Sequence, residues 1–131
     1  MKQGLSVVLV LAIVLCMLAG CSKYPASYNA TLFVHSNTSK SATMSFGSFD
    51  GHISFKLKNK EASNQLVYSA KLETGSATVY IDTDGTKKEL FTINAGDEVD
   101  SAIGELEVGE IYIIVETTEK CKEGKMEFEI Q

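Results

Sequence analysis

The chain has 131 residues, 12 of them basic and 17 acidic, for a formal charge of −5, and every cation is a lysine. An acidic surface without arginine lacks the planar fork that grips phosphate at two points, which excludes nucleic acid as a partner. With three cysteines and no tryptophan, there is no disulfide framework to build on, and the fold rests on a hydrophobic core.

The first element is a charged start at Lys2, an apolar run from Val7 to Leu18, and the small residues Ala19 and Gly20. This is the order of a secretory signal peptide, expected to be helical, and the run is shorter than the ~20 residues that span a bilayer. The tetrapeptide Leu18-Ala19-Gly20-Cys21 at its end resembles the lipobox of bacterial lipoproteins. That resemblance implies a diacylglyceryl group on the sulfur of Cys21, cleavage before it, and acylation, typically with palmitate, of the new amino group. It further implies a lipid-anchored protein on the extracytoplasmic face of the cell membrane. In an envelope of two membranes, Ser22 in place of the aspartate tied to inner-membrane retention implies the outer membrane.

Loss of residues 1–20 leaves 111 residues, one domain's worth, with 11 lysines against 17 acidic residues and a net charge of −6. Cys16 goes with the signal and Cys21 is consumed by lipid, so Cys121 has no internal partner. Residues 21–29 read as the lipidated cysteine and a short tether. At ~3.3 Å per extended residue, eight residues reach roughly 25 Å, which holds the domain close to the membrane.

Residues 30–131 read as β throughout, with apolar runs separated by Gly, Asp, Asn and Ser. Strands are expected near 30–35, 42–49, 52–58, 65–73, 76–82, 88–94, 104–108, 110–117 and 125–130, with at most one helical turn in Lys58–Asn64. An Asp50-Gly51 two-residue turn would pair Phe46 with Phe55 and Met44 with Leu57 on one apolar face. An odd-length connection around Asp84-Gly85 would gather Ala77, Val79 and Ile81 with Phe91 and Ile93, with Gly85 at a positive φ. A four-residue loop Glu119–Lys122 would pair Val115 with Met126, Ile113 with Phe128 and Ile111 with Ile130, leaving Cys121 at an exposed loop tip.

Such a pattern predicts about eight antiparallel strands in a two-sheet sandwich or a flattened barrel. The stretch Val108–Val115 together with Met126–Ile130 resembles the closing strands of jelly-roll modules such as bacterial pre-peptidase C-terminal domains. The whole is similar to small bacterial surface lipoproteins. The first resemblance implies a jelly-roll-like sandwich and the second a location, and neither implies an activity.

Candidate chemistry is sparse. His35 and His52 fall on different strands, and no Gly-x-Ser-x-Gly elbow accompanies the serines, so no catalytic residue is assigned. Asp82-x-Asp84-Gly85 matches the start of a calcium loop, but the twelfth position is Ile93 rather than a carboxylate. That removes the EF-hand reading and leaves Asp82 and Asp84 as candidate ligands of a looser site. Glu105, Glu107 and Glu110 form an acidic edge. Tyr68, Tyr80 and Tyr112 lie on strands and form a candidate stacking platform for a ligand. The reading is a non-enzymatic, membrane-anchored binding module, expected to be monomeric, without cofactor, and with a protein or glycan ligand. Its alternatives are an acidic inhibitor of a cationic envelope-attacking hydrolase and a carbohydrate-binding module.

Overall fold

Alternation of apolar and polar residues builds seven antiparallel strands, described by a computed structural model over residues 23–131. They are β1 (Ser27–Thr31), β2 (Val34–Asn37), β3 (Ser41–Asn59), β4 (Leu66–Asp82), β5 (Lys87–Asn94), β6 (Glu98–Ile103) and β7 (Gly109–Ile130). The expected signal segment and the expected lipobox through Cys21 lie outside the described residues. No helix occurs among the described residues, and the turn expected near Lys58–Asn64 is closed by the Asn64 N–H donating to the Glu61 carbonyl at 3.1 Å.

Three strands are far longer than the sequence pattern suggests. β3, β4 and β7 run for 19, 17 and 22 residues, each fusing two expected strands. The hairpins at Asp50-Gly51 and Glu119–Lys122 do not form: β3 pairs with β7 from Ser41↔Glu129 through to Asn59↔Gly109. Phe46 therefore lies opposite Gly124 and Phe55 opposite Ile113, rather than opposite each other. Weak strand 104–108 is replaced by β6 at Glu98–Ile103, and the first expected strand divides into β1 and β2.

Most inward assignments survive this correction for a physical reason, while Phe49, which the hairpin register would turn outward with His52, is fully buried. Buried positions on β3 are Ala42, Met44 and Phe46, then Phe49, Ile53, Phe55 and Leu57, a switch from even to odd numbers. β4 switches between Leu72 and Ala77, and β7 between Cys121 and Gly124. A two-residue hairpin and an inserted bulge both exchange the faces of the residues beyond them, so the pattern alone does not tell them apart. The register breaks at the same level in all three strands, between Phe49 and His52 on β3 and between Thr74 and Ala77 on β4.

These breaks divide each long strand between two layers. One layer takes β2, the first half of β3, the last half of β7, the first half of β4, and β6. The other takes β1, the rest of β3, β7 and β4, and β5. Across the core, the Tyr68 ring of the first layer stacks on Phe91 of the second at 5.4 Å and 5°, and Phe91 reaches Phe128 at 6.4 Å. Side chains patch the backbone where pairing breaks: the Gly51 N–H donates to Thr117 Oγ1 at 2.8 Å, and Thr118 Oγ1 donates to the Ser76 carbonyl at 3.2 Å.

The Asp84-Gly85 connection also differs in detail. Ile81 lies opposite Lys88 and Asp82 opposite Lys87, while a bulge near Leu90 restores Val79 to Phe91 and Ala77 to Ile93. The extra residue sits in the strand rather than in the loop. Gly85 does adopt a positive φ, 96°.

Cys121 is not at a loop tip. It is buried inside β7, its Sγ donating to the carbonyls of Glu119 and Ser76 at 3.4 and 3.5 Å, and burial pushes its thiol pKa up. A buried, protonated thiol is a poor nucleophile. Peptide mapping after iodoacetamide treatment is expected to find Cys121 unmodified in the native protein and fully modified in denaturant. At Gly75, with φ 97°, an added β-carbon would overlap the backbone of Lys120 and Cys121. Gly75→Ala is expected to lower the free energy of unfolding in urea by roughly 2 kcal/mol or more.

Candidate functional site

The bend creates a cleft. Where β3, β7 and β4 change phase, Gly47 and Gly124 carry no side chain, and the Phe46 ring fills the place a β-carbon on Gly124 would take. Phe46, Leu72 and the two glycines give an apolar floor to a cleft of ≈ 550 Å³. Leu32, in the β1–β2 connection, leans over Gly47 and is 84% exposed.

The rim is charged and mostly acidic: Glu73, Asp97, Glu98 and Glu123 against Lys71 and Lys125. One side of it is rigid. The Asn94 N–H donates to the Asp97 carboxylate at 2.9 Å, and the Gly96 N–H donates to the Leu72 carbonyl at 2.8 Å. Leu32 and Glu123 have φ of 49° and 51°, so two of the three non-glycine residues in the left-handed region among the described residues lie at this cleft. Such conformations cost of order 1–3 kcal/mol each and gather at functional sites. Sequence reasoning missed the cleft because it joins five chain segments at a bend. The signal available was Gly47 and Gly124 at the points where the apolar phase changes.

Of the three candidate platform tyrosines, only Tyr80 and Tyr112 share an outer face. Tyr68 points into the core, 6% exposed, while Tyr80 and Tyr112 point outward from the other layer. A residue's strand position was legible, but its layer was not. The two outward rings are also engaged: Lys87 Nζ lies 4.4 Å from the Tyr80 centroid, and the Tyr24 ring meets Tyr112 edge-on at 5.5 Å.

The two aspartates of the candidate calcium pair are engaged by protein donors. Asp82 is buried in the outer face of its layer, with its oxygens taken by protein donors: Lys23 Nζ at 2.9 Å, the Tyr24 hydroxyl at 2.6 Å and the Gly85 N–H at 2.7 Å. Asp84 accepts from the Thr86 N–H at 3.0 Å and faces Lys88 at 3.6 Å. The aspartates thus shape a turn and hold the N-terminal segment. Among the described residues no group of three His, Cys, Asp or Glu side chains is placed to hold a metal ion.

The acidic edge is likewise dispersed. Glu110 pairs with Lys56 at 2.9 Å, which holds its carboxyl below the usual range. Glu105 and Glu107 flank Leu106 in a loop pinned by the buried amide of Asn59, which donates to the Leu106 and Glu107 carbonyls at 3.1 Å. His35 and His52 are both exposed, His35 beside Phe33 on β2 and His52 opposite Glu116 on β3.

The described part of the segment expected to be a short tether is docked on the sheet. Beyond its two bonds to Asp82, its Tyr24 carbonyl accepts from Ser54 Oγ at 2.6 Å, and β1 begins at Ser27. Tyr24 and Pro25 line a small pocket together with Ile114, a buried apolar residue on the outer face. Burial alone would raise the Asp82 pKa, but the hydrogen bonds from Tyr24, Lys23 and Gly85 outweigh it and hold the group at about 2. A carboxylate whose folded pKa is lowered stabilises the fold above its unfolded pKa of ~3.9 and loses that contribution as pH falls toward 2. Urea midpoints of the native protein and of Asp82→Asn, measured from pH 6 to pH 2, are expected to converge below pH 4, with the native protein the more stable above it.

No family model and no curated protein matches this chain. Among solved structures it is similar to Aeromonas hydrophila PliG, a periplasmic inhibitor of g-type lysozyme, at 17% identity over 71% of this chain and 88% of the other, with a TM-score of 0.46. It is also similar to the TmCBM61 module in complex with β-1,4-galactotriose, at 15% identity over 82% and 84%, TM-score 0.41. A family 29 carbohydrate-binding module complexed with mannohexaose aligns at 11% identity over 82% and 91%, again at 0.41. At these scores the likeness is one of general strand arrangement, and it assigns no ligand to the cleft.

Proposed function

We propose that this chain is a lipid-anchored, extracytoplasmic, non-catalytic binding module whose cleft at the bend receives a protein partner. The observation that carries the reading is the cleft itself. It combines an apolar floor of Phe46 and Leu72, an exposed Leu32 held in a costly backbone conformation, and four carboxylates around the opening. An apolar side chain flanked by lysine or arginine fits both parts of that surface. The net charge of −6 after Cys21 would speed encounter with a cationic partner. An envelope-attacking hydrolase of net positive charge has these properties, and the module would act as its inhibitor by occupying it. The anchoring half of the proposal rests on Leu18-Ala19-Gly20-Cys21.

Binding of purified cationic peptidoglycan hydrolases by the domain, measured at low and high salt, tests the cleft. Glu73→Lys with Glu98→Lys is expected to weaken binding by about tenfold or more at low salt, as like charges then face each other. Leu32→Asn places a residue tolerant of positive φ at that position and is expected to leave stability unchanged or raised while weakening binding. Salt-insensitive binding of a neutral glycan, or indifference to all three substitutions, would overturn the reading. For the anchor, Cys21→Ser is expected to abolish labelling by radioactive palmitate and leave the precursor uncleaved. Persistent labelling in that variant would refute lipidation at this site.

A further inference from the structure

We infer that the contact of Lys23 and Tyr24 with Asp82 fixes how the domain stands on the membrane, its β4–β5 turn against the lipid surface and its cleft facing away. The inference rests on lipidation of Cys21 as proposed above and adds an orientation to it. Cys21 is two residues before Lys23, so the two Cα atoms are at most about 8 Å apart. What joins the lipid to the docked residue is thus short, and it keeps that point of the domain near the lipid surface.

The docking itself is a built feature. Lys23 Nζ and the Tyr24 hydroxyl converge on one oxygen of Asp82, at 2.9 and 2.6 Å, while the other oxygen accepts from the Gly85 N–H. The Asp82 side chain is 2% exposed, and a carboxylate in that setting is stable only with its partners in place, so release of the segment is opposed. Ser54 holds the Tyr24 carbonyl, Tyr112 supports the ring, and Pro25 limits the backbone just after it. The chain therefore arrives at one defined point of the sheet, beside the β4–β5 turn.

The cleft lies at the other end of the same strands. From Asp82 back to Gly75 at the bend is seven residues of β4, roughly 23 Å at ~3.3 Å each. An anchor at the Asp82 end leaves Glu73, Asp97, Glu98 and Glu123 pointing from the membrane. The same carboxylates turned toward anionic headgroups would be repelled and closed to a partner.

The test uses the full-length protein, processed in its own membranes, in a Cys121→Ala background. A fluorophore is placed at Thr86→Cys beside the turn or at Lys120→Cys on the bend, both exposed positions, with an energy acceptor on the lipid headgroups. Transfer several-fold stronger at position 86 than at 120 is the expected result. That contrast is expected to collapse in Lys23→Ala with Tyr24→Ala. It is also expected to collapse when a short Gly/Ser insertion is placed after Ser22, a change that leaves every domain residue intact. Equal transfer at the two positions in protein whose Cys21 is lipidated by mass overturns the orientation alone, as does a contrast that persists through both changes. Absence of lipid on Cys21 overturns the anchoring reading, and the orientation with it.

Discussion

β3, β4 and β7 each bury one parity of residues up to the bend and the other parity beyond it, and the two-layer architecture rests on that shared change of phase. A strand of this length with a single parity would put half of its apolar residues in water, at roughly 1.5–3 kcal/mol for each large side chain. Inserting the change at one level in all three lets a single sheet fold over itself, so that Tyr68 and Phe128 meet Phe91 from the opposite layer. Thr117, Thr118 and the glycines at the bend satisfy or relieve the backbone where the ladder is interrupted.

The cleft arises from the same change of phase. Bulges open the ladder, glycines remove side chains, and the β1–β2 and β5–β6 connections cross at that level because their strands also divide between the layers. Leu32 and Glu123 accept left-handed backbone there. The tyrosines and the aspartate loop singled out by the sequence lie at the opposite end or in the core. Asp82 illustrates the exchange: its sequence context is that of a calcium loop, and its carboxylate is spent on Lys23, Tyr24 and Gly85.

What could be read from the chain was local. The all-β character, most of the inward residues on β3 and β7 and the positive φ of Gly85 come from alternation and turn chemistry, whereas Phe49 and Tyr68 are buried against the faces expected of them. The hairpin at Asp50-Gly51 was a reasonable expectation of the same kind. Gly51 does adopt a positive φ of 136°, but as part of a bulge. Cys121 was misplaced for the same reason, since Glu119–Lys122 has loop composition and a bulged strand's geometry.

Which residues are buried is written in the order of side chains along each strand, because burial depends on their chemistry and its period. The motif Leu18-Ala19-Gly20-Cys21, on which the anchoring proposal rests, is written there too, since four adjacent residues need no fold to be read. Which strand each face meets is a matter of long-range pairing. A parity change is consistent with both a reversal and a continuation of the chain, and that choice belongs to partners distant in sequence. The docking of Lys23 and Tyr24 on a carboxylate 59 and 58 residues away is likewise invisible to any local pattern, as is a cleft assembled from five segments.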